Sequence, residues 1–211
     1  MKILMTCFLP FGGDNVNASA CAVEGCRAPE NVDLYKLTVP VVFGEAADLV
    51  CGAIDELRPD VVICVGEAGG RKAVTPERIA INIRDARIAD NKGNRPVDEK
   101  IAEDGPAGYF STLPVKELTA AMKAAGFDAA VSDTAGTFVC NDLMYGVLHY
   151  LASSAWKDTS ASGKKPLAGF IHVPADRPSL REDGTLLPVS AASADALTEA
   201  LKVFAAGNAA G

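Results

Sequence analysis

The stretch Val61-Val62-Ile63-Cys64-Val65-Gly66-Glu67-Ala68-Gly69-Gly70-Arg71 decides the fold. Its first five residues are apolar, so both faces of a strand built from them would be buried. Such a strand suits the centre of a sheet covered on both sides. Cys64, in the middle of the run, reads as a core residue. The glycines that follow form a loop whose backbone can approach a ligand closely. Upstream, Gly44–Leu57 places Ala47, Val50, Cys51 and Ile54 on one helical stripe, and Arg58-Pro59-Asp60 stops it.

The same alternation extends in both directions. Lys2–Cys7, Leu34–Val42, Ala129–Ser132 and Leu167–Val173 read as further buried strands. Pro114–Ala125, Cys140–Ser153 and Ser190–Ala205 carry helical spacing, the first with Pro at its opening turn and Gly126 beyond its end. Strand and helix in alternation predict a three-layer α/β/α sandwich. A length of 211 residues fits one domain, 1–211, with no internal repeat or linker. The segment 84–107 is polar and aperiodic, and a loop of that length is expected to be functional or mobile. Residues 158–165 read as a polar loop and 205–211 as a frayed tail.

Composition sets limits on function. The chain has 27 acidic and 20 basic residues, a net charge of −7, which disfavours a nucleic-acid surface. No apolar run approaches the roughly 18 residues of a membrane span. Six cysteines, several of them inside apolar runs, fit a reduced, cytoplasmic protein better than a disulfide framework. No pair has CxxC spacing and there are only two histidines, so a structural zinc site is not expected, and no cofactor is expected either. Cys21, Cys26 and Cys51 read as packing residues. Cys7, at the end of the first strand, either packs or borders the crevice.

Two residues stand out as a nucleophile and its base. Cys140 follows a small-residue turn, Thr134-Ala135-Gly136-Thr137, and falls in the first turn of a helix. There the free N–H groups and the helix dipole favour a thiolate and could hold an oxyanion. His172 ends a buried strand, where open α/β sheets bind ligands. His149 lies nine residues beyond Cys140 on the same helix. That is about 900° of rotation and roughly 13 Å of rise, so it cannot reach the thiol. A Cys–His pair normally has a third group that orients the imidazole. The residues alone leave that role open among Glu67, Glu77, Asp85 and Asp90. Phe8 and Phe11, in the loop after the first strand, could wall a flat slot for a small ring. Neither glycine loop carries a GxGxxG or P-loop pattern.

Six separated motifs, in order, resemble pyroglutamyl peptidase type I, a family of cysteine exopeptidases. They are Phe8–Asp14, Val65–Arg71, Pro76–Asn82, Asp85–Asn91, Asp133–Asn141 and Gly169–Pro174. The resemblance implies a twisted mixed, mostly parallel sheet. It implies removal of an N-terminal pyroglutamyl residue from peptides, without a metal, by a dimer or tetramer. It assigns the triad to Cys140, His172 and Glu77, the last on resemblance alone. It sets the substrate ring between Phe8 and Phe11, beside the loop of Glu67. Arg87 matches an arginine near the catalytic centre, and Asp90 a supporting acid. The expected chemistry is a Cys140 thiolate paired with imidazolium His172, with Arg87 helping at the oxyanion.

There are departures from the family pattern. Cys7 stands for a usual Gly, Leu9 for a common acidic residue, Glu67 for a usual Gln and Ala89 for a common Pro. A carboxylate at 67 loses the donors of Gln. Two other readings therefore stay open: a catalytically silent ligand-binding homologue, and a nucleoside-phosphorylase-like enzyme on a related sandwich.

Overall fold

In the computed structural model, which describes residues 1–153, 165–175, 179–180, 186–187 and 189–207, the apolar runs lie side by side. The strands are β1 (Lys2–Phe8), β2 (Asp33–Val39), β3 (Val61–Ala68), β4 (Thr75–Pro76), β5 (Ile79–Ile81), β6 (Gly108–Phe110), β7 (Leu167–Pro174), β8 (Ser179–Leu180) and β9 (Leu186–Leu187). The helices are α1 (Ala18–Gly25), α2 (Glu45–Leu57), α3 (Val115–Ala124), α4 (Val139–Ala152) and α5 (Val189–Gly207). The main sheet has the order β2-β1-β3-β7-β4. All its pairs are parallel except β4 with β7. This is the mixed, mostly parallel sheet expected.

Alternate residues of each central strand enter different cores. Ile3, Met5, Ile63, Val65 and Ile171 pack with α1, α3 and α5, where Leu118, Met122 and Leu197 meet them. Leu4, Val62, Cys64 and Phe170 pack with Val50 and Ile54 of α2 and Leu143 and Val147 of α4. The sheet is thus buried on both faces, which is why its strands read as unbroken apolar runs.

Two strand expectations change. Leu34–Val42 is shorter, ending at Val39 before Pro40, and forms an edge whose residues are mostly exposed or half-buried. Tyr35 and Lys36, in the middle of the run, belong on such an edge. Ala129–Ser132 forms only two isolated parallel bridges, Val74 with Ala129 and Glu77 with Ser132. The ladder bonds on either side are intact: Ala130 N to Val74 O at 3.1 Å and Ser132 N to Pro76 O at 3.0 Å. The bond missing between them would need an N–H from residue 76, which is proline. Pro76 therefore splits a short sixth strand into bridges.

The segment 84–107 has no helix or strand but is well tied down. Arg84 and Glu99 exchange backbone bonds of 2.7 and 3.0 Å, and Ala86 N donates to Pro96 O. The Asn82 side chain accepts from the N–H groups of Ile101 and Ala102. α5 runs to Gly207, into the first residues of the expected tail. Residues 208–211 of the expected tail, and 158–164 of the expected polar loop, lie outside the described residues.

Gly146 lets α4 settle against α2. A Cβ at this position would stand 2.7 Å from the Cβ of Ala47. Ala in place of Gly gains about 1 kcal/mol of helix propensity, whereas overpacking costs about 1–3 kcal/mol. Gly146→Ala should therefore lower the urea midpoint of unfolding. A raised midpoint would show that the two helices separate freely.

Candidate active site

β1, β3 and β7 all end on the same side of the sheet, and a cavity of about 340 Å³ opens there. Phe8, Phe11, Glu67, Arg71, Cys140 and His172 are among its lining residues. The elements bring Cys140 and His172 together over one glycine. His172 is the register partner of Gly66 in the β3–β7 ladder. The Cys140 sulfur lies 3.0 Å from where a Gly66 Cβ would stand, and the Phe170 ring lies at 2.6 Å. Only glycine leaves room there for both.

Cys140 is the second residue of α4, whose first residue is Val139. The helix's first backbone bond runs from Asp142 N to Phe138 O. The N–H groups of Val139, Cys140 and Asn141 precede it and have no intrahelical partner. No side chain caps this end. Its position is fixed instead by two buried residues. Asn141 accepts from Ile81 N and donates to the carbonyls of Ile81 and Ile83. Asp142 accepts from Gly44 N at 2.7 Å and from Arg84 Nε at 2.5 Å. Burial pushes the Asp142 carboxyl up, against these bonds.

Glu77 is fully buried, and its Oε1 lies 2.7 Å from His172 Nδ1. The carboxylate accepts, so Nδ1 donates and Nε2 is left as the basic nitrogen. Glu77 is held by its own backbone, with N donating to Phe170 O at 2.8 Å. Phe170 also packs against the imidazole, ring centroids 4.7 Å apart. Burial holds His172 below its ordinary value, an effect opposed by Glu77 and aided by Arg71.

Opposing effects act on the thiol. Burial and the negative charge of Glu77 push Cys140 up to about 12, with Arg71 pulling the other way. The helix start favours the thiolate, and removal from water opposes it, although Cys140 is half-buried and lines the cavity. Among the described residues, no hydrogen bond joins the Cys140 and His172 side chains.

The other expected site residues are distributed unevenly. Phe8 is buried and tilted against Phe170, while Phe11 stands half-buried, its ring centroid 6.3 Å from that of Phe138. Glu67 lines the cavity, and its Oε2 accepts from Ala18 N at 2.7 Å, at the start of α1. Asp90 is buried outside the cavity and accepts from the N–H groups of Phe43, Lys92 and Asn94. Burial works against its ionisation, but these bonds and one from the Asn94 side chain outweigh it and hold the carboxyl low. The adjoining Asn91 ties the loop to Val41 O and Pro10 O, behind the cavity wall. Arg87 is exposed and does not reach the lining. Cys7 packs under α1 rather than facing the cavity. His149 bonds Tyr109 Oη through Nδ1 at 3.0 Å, away from Cys140.

Two lining residues carry more than the sequence suggested. Phe138, just before α4, adds a third aromatic wall and is itself braced edge-on by Phe43. Arg71 reaches Glu77 Oε1 at 2.5 Å. Its place directly after Gly69-Gly70 was the available signal, since Gly70 has a φ of +99° and turns the chain back on the site. Among the described residues, no three His, Cys, Asp or Glu side chains gather as metal ligands would.

This arrangement can be set beside known proteins. Residues 1–209 match the family model described as pyroglutamyl peptidase. The pyrrolidone-carboxylate peptidase of Clostridium perfringens is 50% identical over 177 residues, covering 82% of this chain and 78% of that protein. That of Streptomyces coelicolor is 47% identical over 186 residues, covering 87% and 82%. The crystal structure of Bacillus amyloliquefaciens pyroglutamyl peptidase I superposes with a TM-score of 0.82 at 39% identity, over 95% of this chain and 94% of that one. Pyrrolidone carboxyl peptidase from Pyrococcus furiosus gives 0.83 at 34% identity, over 96% and 97%. With likeness of sequence and fold along nearly its whole length, the chain belongs to the pyroglutamyl peptidase family of cysteine-type hydrolases.

Proposed function

We propose that this chain removes an N-terminal pyroglutamyl residue from peptides, with Cys140 as nucleophile, His172 as proton carrier and Glu77 as the group that orients the imidazole. The observation that carries the assignment of roles is the buried 2.7 Å contact between Glu77 and His172, in the same cavity as Cys140. Pyroglutamate is a lactam and has no α-ammonium group. A slot walled by Phe8, Phe11 and Phe138 suits its flat ring. The charge of Glu67 is met by the start of α1, so the slot presents no bare anion to an ammonium group.

The thiol proton passes to His172 Nε2 as sulfur bonds to the pyroglutamyl carbonyl carbon. The first-turn N–H groups of α4 receive the oxyanion. The C–N bond then breaks, and the leaving amine takes the proton from His172. Water attacks the thioester and gives a proton to His172. The S–C bond breaks, pyroglutamate leaves, and the sulfur is reprotonated. General-base removal of the proton at the moment of attack fits a thiol that burial and the charge of Glu77 push up. We read the whole of 1–211 as one peptidase domain working in the cytoplasm. Family membership supports a dimer or tetramer, whose contacts would cover the exposed Val97 and Phe110.

Hydrolysis of a pyroglutamyl-arylamide, compared with the prolyl-arylamide, tests the reading. Turnover should be selective for the lactam, survive EDTA and be lost on treatment with iodoacetamide. Proline lacks the ring carbonyl and should leave a polar partner unpaired, a penalty of about 1–3 kcal/mol. Cys140→Ser should lose on the order of 10³-fold or more in kcat; near-normal turnover would sink the assignment. A second measurement addresses the protonation state. Without substrate, the rate of Cys140 alkylation should keep rising through alkaline pH, as a thiol held high requires. A plateau reached below neutrality would mean that a standing ion pair exists instead.

A further inference from the structure

Arg71 touches three parts of the site through one guanidinium. Nη1 donates to Glu77 Oε1 at 2.5 Å and to Thr75 Oγ1 at 2.6 Å. Nη2 donates to Thr134 O at 2.9 Å, at the head of the turn that leads into Cys140. Glu77 is wholly buried, and its Oε2 has no hydrogen-bond partner among the described residues. All the stabilisation of that carboxylate therefore falls on Oε1, which Arg71 shares with His172. We propose that Arg71 is a positioning residue of the proton-transfer unit: it pins the shared carboxylate oxygen against the imidazole and, through Thr134, holds that unit in register with the nucleophile turn.

Three features make this more than a surface ion pair. Arg71 lines the cavity itself, so its charge acts inside the site. Its two nitrogens span separate chain segments, β4 and the 134–137 turn, which no side-chain bond between Glu77 and His172 could align. The planar fork of arginine also fixes the direction of both bonds, which an ammonium group cannot do. The inference rests on the proposed roles of Glu77 and His172.

The charge has a readable consequence. The charged or titratable groups around His172 are Glu77, Arg71, Cys140 and Glu67. Arg71 disfavours imidazolium, so removing it raises the proton affinity of His172. A base must be neutral to act, so the acid limb of kcat/KM should move to higher pH.

The test compares Arg71→Met, Arg71→Lys and Glu77→Gln by pH profile on a pyroglutamyl-arylamide. Arg71→Met should shift the acid limb up by about one pH unit. It should lower kcat on the order of 10²-fold, as expected of misplaced catalytic groups, with KM changed much less. Arg71→Lys keeps the charge and loses the fork. It should restore the limb but only part of kcat, and it also serves if Arg71→Met fails to fold. An unshifted limb in Arg71→Met with normal kcat would overturn the proposal. So would full kcat in Arg71→Lys, because the fork would then be idle. If Glu77→Gln is fully active, the reading of the triad has failed. If Glu77→Gln is impaired and both Arg71 variants are normal, the proposal fails alone.

Discussion

A carboxylate taken wholly out of water is the constraint on which the rest of this site depends. Desolvating an ion costs several kcal/mol unless charge and hydrogen bonds offset it. At Glu77 the offset comes from Arg71 and His172, both on the same oxygen. Those partners arrive from the glycine loop after β3 and from the end of β7. The sheet order places them there: β7 lies between β3 and β4, so His172 is flanked by the loop that carries Arg71 and by the strand that leads to Glu77. The antiparallel step of β4 on β7 brings Glu77 N onto Phe170 O and sets its side chain under the imidazole. One short, irregular strand at the edge of an otherwise parallel sheet thus supplies the third member of the site.

That also explains what could be read from the sequence. The central strands and α2 to α4 were legible because both sheet faces are covered and each helix shows an apolar stripe. Cys140 and His172 were legible because each stands at an element end, where the chemistry of helix termini and strand ends applies. Glu77 was not, and only the family resemblance selected it. Its element spans two residues, too short to show periodicity, and Pro76 removes the bond that would have joined Ala129–Ser132 into a strand. Arg71 and Phe138 escaped for a related reason. Their roles come from contacts with distant segments, and nothing in the local pattern of a loop announces such contacts.

The protonation of the pair shows two effects of one location working against each other. A helix start favours a thiolate, yet the position that gives Cys140 access to free N–H groups also sets its sulfur close over Gly66, partly out of water. In the proposed mechanism, charge on sulfur, oxygen and imidazole develops during the reaction beside groups already in place. In the proposed reaction the N–H groups would receive the oxygen that becomes negative, and Glu77 the imidazole that becomes positive. Such fixed dipoles need not reorganise during the reaction, which is where they contribute most.

The departure at Glu67 follows the same logic of local compensation. A carboxylate in place of Gln would burden an apolar slot with charge if it stood free. Here Oε2 accepts from Ala18 N, the first N–H of α1, which is an end that attracts anions. The same helix start is drawn toward the site by Asn17, which caps it at Ser19 N and donates to Leu9 O, and by Ser19, whose Oγ accepts from Phe8 N. Glu67 is therefore part of the strut that holds the Phe8–Phe11 wall against β3. The carboxylate that replaces the usual Gln thus finds, at the helix opposite, the donor and partial charge that it needs.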